Sequence, residues 1–342
     1  MIKKIINRYR ALKRSEYLKQ SSESKYKYAI IGAGEHATTQ LYPCIWHIGI
    51  PISLICTNTI SNAHHAACRF TECRGTINLD DIINDSSIKG VFVSIPPSNQ
   101  ASLVKQLLYA NKAVYVEKPL GYSTSELLSV LPTPLNSTLH VGFQRRYAPI
   151  GQLTKKLIKS PISYQYHYRI GPYPEGNALY EVFTHQLDYC LFLFGSAKLI
   201  HVSKFTGSSG ETYYIELDHN GIKGSIELST QYSWNNSEEK LEINQEHSSI
   251  VSNYPSILEK TKKPYRLFGV PLEKAIEHPG ERSIYMSANN SIPSRQNSSS
   301  NLLGFYPSIY TFFNSVEKNI KTDENIQQTI ELYRLLDQVQ NA

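Results

Sequence analysis

Tyr28-Ala29-Ile30-Ile31-Gly32-Ala33-Gly34-Glu35-His36-Ala37 is the stretch on which the fold turns. Its first four residues are apolar and uninterrupted, the mark of a strand buried on both faces. They run into a Gly-x-Gly-x-x-Ala turn, with a helix expected from about Glu35. Gly32 permits the sharp strand-to-helix change. Gly34 lets a diphosphate approach the main chain, and the small Ala37 packs helix on strand. Glu35 and His36 lie at the helix start, where free N–H groups face an anion. Alone, this is a glycine turn. With a strand before it and a helix after it, it points to a bound dinucleotide.

Working outward, strands and helices alternate. Residues 52–56, 90–95, 113–116 and 139–143 read as strands, and residues 63–70 and 100–110 as helices. Pro96-Pro97 stops the strand at 90–95, at the carboxyl edge where dinucleotides lie. Ser123 with Glu126 forms a capping box that opens a further helix. This alternation predicts an α/β fold whose N-terminal part, residues 27–148, is a doubly wound parallel Rossmann sheet. Residues 1–26 form a basic extension.

From residue 149 to 342 the pattern changes. Helices are expected at 150–158 and 180–194. Strand-like runs follow at 164–170, 199–205, 212–218, 224–230 and 241–245, implying an antiparallel sheet. The Ser- and Asn-rich residues 284–301 read as an exposed loop, and helices close the chain at 306–319 and 325–339.

The 342 residues, 41% apolar and 19% charged, suit two ordinary globular domains. The formal charge of +6 is concentrated: residues 1–27 hold nine Lys/Arg and two acids, and the remainder is near −1. A body without basic excess argues against nucleic acid as a partner. The five scattered cysteines imply reduced thiols and a cytoplasmic protein. His64, His65, Cys68 and Cys73 match no zinc spacing, so no metal is expected. No apolar run is long enough for a transmembrane segment, and the N-terminus lacks the apolar core of a signal peptide. Ile2, Ile5, Ile6, Tyr9 and Leu12 recur at helical spacing. The first reading is a helix lying on the protein's own surface; a subunit arm and a membrane-surface contact are the alternatives.

Two residues carry the expected chemistry. Lys118 follows the strand Val114-Tyr115-Val116 and Glu117, where the sheet edge meets a nicotinamide ring. Its ammonium can orient or polarise a substrate oxygen. His185 lies in Glu181-Val182-Phe183-Thr184-His185-Gln186-Leu187-Asp188, with Glu181, His185 and Asp188 spaced to share one helix face. An imidazole titrates near neutrality, and a carboxylate one turn away raises its basicity. The same pattern is also that of a solvated polar face, or of a core histidine satisfied by Asp188.

The second strand ends in Cys56-Thr57-Asn58, where an acid would grip the ribose 2′-hydroxyl and repel a 2′-phosphate. Its absence tilts the expected cofactor from NAD toward NADP or use of both.

With these residues in place, the chain from about Lys27 onward resembles the glucose-fructose oxidoreductase / inositol dehydrogenase (Gfo/Idh/MocA) family. The resemblance rests on Gly32 to Ala37, Glu117-Lys118-Pro119, the run from Val141 to Pro149, and Glu181 to Asp188 leading into Phe194-Gly195. The Gly-Phe-x-Arg-Arg-Tyr stretch is most similar to the branch found near bacterial surface-polysaccharide genes. The resemblance implies a Rossmann domain followed by an α/β domain with a large open antiparallel sheet that forms subunit contacts in a homodimer or homotetramer. It implies a cis Lys118–Pro119 bond, Lys118 touching substrate and nicotinamide, and His185 as acid/base, with Glu181 standing where the family has Asp. Cofactor contacts are implied for Gly32, Gly34, Glu35, His36, Ala37, Thr57, Pro96, Pro97, Gln100, Glu117 and Lys118. Arg145, Arg146, Tyr147 and Asp188 would meet a sugar-type substrate, although a structural ion pair suits one arginine equally well. Gln100 replaces a frequent histidine, and Gly176-Asn177 replaces a glycine pair. The implied activity is hydride transfer between nicotinamide and a hydroxyl or ketone of a sugar or nucleotide sugar. The first rival is a non-catalytic dinucleotide-binding sensor or scaffold; the second is a reductase of a non-sugar substrate, an imine or a conjugated alkene.

Overall fold

The apolar run before the glycine turn forms β1 (Lys27–Ile31), whose Tyr28, Ala29 and Ile30 have no solvent exposure. The computed structural model describes residues 2–18, 24–272, 280–289, 291, 294–320 and 323–342. They fall into two units, each discontinuous in sequence.

The first unit comprises Met1–Glu117, Val130–Gly142 and Ile309–Thr322. After α1 (Ile2–Leu18) and β1 come α2 (Tyr42–Ile48), β2 (Ile52–Cys56), α3 (Ile60–Ala67), β3 (Arg74–Thr76), α4 (Asp80–Ile83) and β4 (Ile88–Val93). Then follow α5 (Pro97–Tyr109), β5 (Ala113–Val116) and β6 (Leu139–Val141). The six strands are parallel in the order β3-β2-β1-β4-β5-β6. Strand order therefore reverses at β1, directly beneath the glycine turn, which is where doubly wound sheets bind ligands. Phe92 of β4 meets Phe312 edge-on at 5.2 Å, and Tyr115 of β5 meets it at 5.8 Å.

Local detail departs from the periodic reading in three places. Thr59 caps α3 by accepting from Asn62 N, so that helix starts three residues before residue 63. β3 has no apolar run to announce it and exists only by pairing with β2. After the glycine turn, Ala37–Leu41 is a π-turn in which Tyr42 N–H reaches back to Ala37 O. Pro43, which has no N–H for the ladder, follows at once.

The second unit comprises Lys118–Ser129, Phe143–Ser308 and Asp323–Ala342. It opens with α6 (Thr124–Val130), α7 (Pro149–Leu157) and β7 (Pro161–Arg169). A π-turn at Leu179–Phe183 leads into α8 (Thr184–Phe194). Then come β8 (Lys198–Thr206), β9 (Glu211–His219), β10 (Ile222–Ser229), β11 (Glu238–Gln245), β12 (Ser248–Asn253) and β13 (Ile257–Lys262). A small hairpin of β14 (Arg266–Leu267) and β15 (Val270–Pro271) precedes β16 (Arg282–Ser287) and α9 (Ser299–Leu302), and α11 (Asp323–Gln340) closes the chain; between them runs α10 (Phe305–Glu317), whose residues from Ile309 on belong to the first unit.

Eight strands form one sheet in the order β16-β13-β12-β11-β7-β10-β9-β8. The sheet is mixed rather than wholly antiparallel, because β7 and β10 run parallel. Its residues alternate between faces: Tyr164, Tyr166, Ile226, Leu228, Leu241 and Ile243 are buried, whereas Ile162, Tyr214, Ile257 and Ile284 are exposed. The expected loop at 284–301 begins inside β16 and contains α9; residues 290, 292 and 293 of it lie outside the described residues.

Candidate functional site

In the first unit the glycine turn has the stereochemistry its sequence demands. Gly32 adopts φ +102°, and a Cβ there would stand 2.0 Å from Ser94 O. The Tyr42 hydroxyl donates to Gly32 O at 2.9 Å and holds the turn. At Gly34 a Cβ would meet nothing within 4 Å, so the main chain is open to a ligand. Glu35 and His36 are exposed beside it, and Ala37 is fully buried against the sheet. This open cradle fits a diphosphate.

The remaining residues expected to meet a cofactor lie at or near the neighbouring strand ends. Thr57 N donates to Thr76 O at 3.1 Å, and its hydroxyl donates to Thr59 O at 2.7 Å. Pro96 is exposed and Pro97 is the first residue of α5. From α5, buried Gln100 donates through Nε2 to Glu117 O, fixing the main chain just before Lys118. The Glu117 carboxylate is buried, 3.6 Å from His36 Nε2.

In the second unit, Lys118, Glu181 and His185 line one cavity of about 340 Å³. Lys118 Nζ donates to Glu181 O, and the Lys118–Pro119 bond is cis. His185 enters from the first turn of α8 and meets Phe143 edge-on, with ring centroids 6.4 Å apart. The remaining wall includes Gln144, Arg145, Tyr168, Tyr173 and Tyr254. It is therefore polar and aromatic, with cations at Lys118 and Arg145, a lining suited to a hydroxylated ligand.

Glu181 is held from the surrounding loops. Oε1 accepts from Tyr122 OH at 2.9 Å and Asn177 N at 3.0 Å, and Oε2 accepts from Tyr173 OH at 2.9 Å. Burial and the bond to Glu181 push the Tyr122 hydroxyl up to about 12. A Cβ at Gly176 would stand 2.3 Å from Glu181 Oε1, so glycine lets the loop close on the carboxylate.

The expected Glu181-His185-Asp188 face is split. Glu181 and His185 line the cavity, whereas Asp188 is fully buried. Asp188 pairs with Arg146, whose guanidinium lies 5.0 Å from the Phe143 ring centroid. Burial opposes charge on Arg146, but Asp188 more than compensates and holds its pKa above the ordinary value. Asn325 Nδ2 donates to Tyr147 OH at 3.4 Å. Arg146, Tyr147 and Asp188, expected to meet substrate, are not among this cavity's lining residues.

Arg145 does line the cavity, already paired. Nε and Nη2 donate to the two oxygens of Glu239 at 2.7 and 2.6 Å, and Tyr166 OH donates to the same carboxylate. Tyr254 lies under the guanidinium at 4.8 Å. Sequence reasoning missed Gln144, Tyr168, Tyr173 and Tyr254. The one available signal was the abundance of tyrosine, which does not say which ring faces a cavity.

Comparison with known proteins agrees with this construction. Residues 26–133 match the family model described as "Oxidoreductase family, NAD-binding Rossmann fold". Over those residues the chain is similar to the Rossmann domain of the Gfo/Idh/MocA family. Inositol 2-dehydrogenase of Salmonella typhimurium is 26% identical over 153 residues, covering 41% of this chain and 46% of that protein. The chain spans about half the length of the curated relatives it matches. Among solved structures, a dehydrogenase (MviM) of Clostridium difficile has TM-score 0.76 at 18% identity, covering 92% of this chain and 99% of that one. KijD10, a 3-ketoreductase of Actinomadura kijaniata solved with TDP-benzene and NADP, has TM-score 0.71 at 14% identity, covering 92% and 96%. At these identities the structural likeness is one of fold.

Proposed function

We propose that the protein is an NAD(P)-dependent oxidoreductase acting on a hydroxyl or ketone of a sugar or nucleotide sugar, in the making of a surface polysaccharide. The observation that carries this reading is the joint presence of Lys118 and His185 in one tyrosine-walled cavity. The names of the relatives support it: one is an inositol 2-dehydrogenase, and another is a 3-ketoreductase solved with a TDP compound and NADP.

The nicotinamide, when bound, supplies hydride exchange; the protein supplies binding, orientation and proton handling. The open main chain at Gly34 and the turn around Glu35 and His36 hold the diphosphate. Thr57 presents no carboxylate to a 2′-phosphate, which favours NADP or use of both forms. Gln100 fixes the main chain at Glu117 and so sets where Lys118 begins. Glu181 O accepts a hydrogen bond from the Lys118 ammonium and so positions it in the cavity, where it orients a substrate oxygen. His185 accepts the proton of the substrate hydroxyl, or returns it when a ketone is reduced. The open face of the eight-stranded sheet is the proposed subunit contact of a homodimer or homotetramer, working in the cytoplasm.

Titration of the whole chain with NADPH and NADH, followed by fluorescence, tests the cofactor. Turnover with sugars, nucleotide sugars and their keto forms tests the reaction. Tight binding of nicotinamide with no hydride exchange toward any of these substrates would support the sensor or scaffold reading instead.

A further inference from the structure

The N-terminal helix presents a surface that the proposed reaction does not use. In α1, Ile2 is 75% exposed, Ile5 63%, Ile6 44%, Tyr9 60% and Leu12 57%. The first expectation, a helix covering its apolar stripe on the protein's own surface, is therefore corrected. At 3.6 residues per turn these five side chains share one face. Lys4 and Arg8 flank the stripe on one side and Lys3 and Arg10 on the other, with no acid between residues 2 and 12. Long basic side chains beside an apolar stripe can lay their stems along it and lift their charges toward phosphates.

We propose that α1 is a membrane-surface anchor that lies in the headgroup layer of an anionic lipid bilayer. Charge selects this occupant. Four cations around an apolar face complement lipid phosphates. The chain beyond residue 27 holds 26 basic and 27 acidic residues and so supplies no net acidic counterpart for a second copy. No described helix is long and apolar enough to cross a membrane. The inference stands on α1 alone and does not depend on the proposed reaction.

The test is flotation of the whole chain with phosphatidylcholine vesicles, with and without phosphatidylglycerol. Binding should be confined to the phosphatidylglycerol vesicles and should weaken as salt rises. Ile5→Ser with Ile6→Ser leaves every charge in place and should reduce binding about tenfold or more, as should Lys4→Gln with Arg8→Gln. Both variants should keep the wild-type melting temperature, since they change exposed side chains. Equal binding to neutral vesicles, or wild-type binding by the serine variant, would overturn the proposal. So would a fall in lipid-free molar mass on Ile5→Ser with Ile6→Ser, which would make α1 a subunit arm. Duplex DNA captured in preference to vesicles would likewise defeat it.

Discussion

Gly142 lies against the carboxylate of Glu117: a Cβ on this glycine would stand 2.9 Å from Oε2. The Gly142 amide also donates to Val116 O at 2.8 Å. The Glu-Lys-Pro segment and the Gly-Phe segment thus need each other, because a buried carboxylate fits only where the facing residue has no side chain. Gly142→Ala should displace the carboxylate or shift the strand end, costing about 1–3 kcal/mol. The midpoint of denaturant unfolding measures this, and an unchanged midpoint would mean the site relaxes freely.

Lys118 and His185 differ from the binding residues in what their loss should do. Lys118→Ala should leave NADP affinity within about tenfold, roughly 1.4 kcal/mol, while abolishing turnover. His185→Ala should lower turnover by about 10²–10⁴, again with cofactor affinity kept. Fluorescence titration and single-turnover kinetics separate the two effects. Unchanged turnover in either variant would remove that residue from its assigned role.

The Arg145–Glu239 pair is buried, bidentate and braced by Tyr166. Glu239→Gln leaves a buried guanidinium without its counter-charge. Loss of about 3–5 kcal/mol is expected, read from urea or thermal unfolding. Because Arg145 also lines the cavity, the same variant should raise KM if the pair positions substrate.

Thr57→Asp places a carboxylate at the end of β2. It should strengthen NADH binding and weaken NADPH binding, shifting the preference by about tenfold or more. Parallel titrations with the two cofactors give the ratio, and no change in it would disconnect Thr57 from the adenosine ribose.

Stability should also depend on pH through His219. Its Nδ1–H donates to Gly195 O at 2.7 Å, leaving Nε2 to accept from Tyr164 OH at 2.8 Å. Burial holds the imidazole below its ordinary value of 6.5, against the pull of the Gly195 carbonyl. The unfolded chain therefore takes up a proton first as pH falls. The stabilisation is complete above the unfolded value and is lost as pH drops below it toward the folded one. Melting temperature should decline between about pH 7 and pH 5, and His219→Gln should flatten that decline.

What could be read without coordinates was local. The run from Tyr28 to Ala37, the strands at 52–56 and 113–116 and the dipeptide Lys118-Pro119 carry patterns that depend on neighbours in sequence. Hydrophobic period and glycine placement therefore sufficed to predict the Rossmann sheet; Lys118 was nominated by its place after a strand, and His185 by its side-chain chemistry and its spacing to two carboxylates. Edge strands such as β3 and β16 carry weaker patterns, because pairing rather than composition holds them in place.

Tertiary structure decided how the polar residues are divided. Arg145 and Arg146 read as substrate contacts, with a structural ion pair equally suited to one of them, and only folding pairs them with Glu239 and Asp188, which are remote in sequence. Helical spacing put Glu181, His185 and Asp188 on one face; folding left Glu181 and His185 at the cavity and drew Asp188 into a buried ion pair with Arg146. The exposure of Ile5 and Ile6 could not be read from their period either, since an amphipathic stripe looks the same whether the protein covers it or leaves it to a partner. Periodicity reports which residues share a face; what meets that face is set by chain segments whose distance in sequence leaves no local trace.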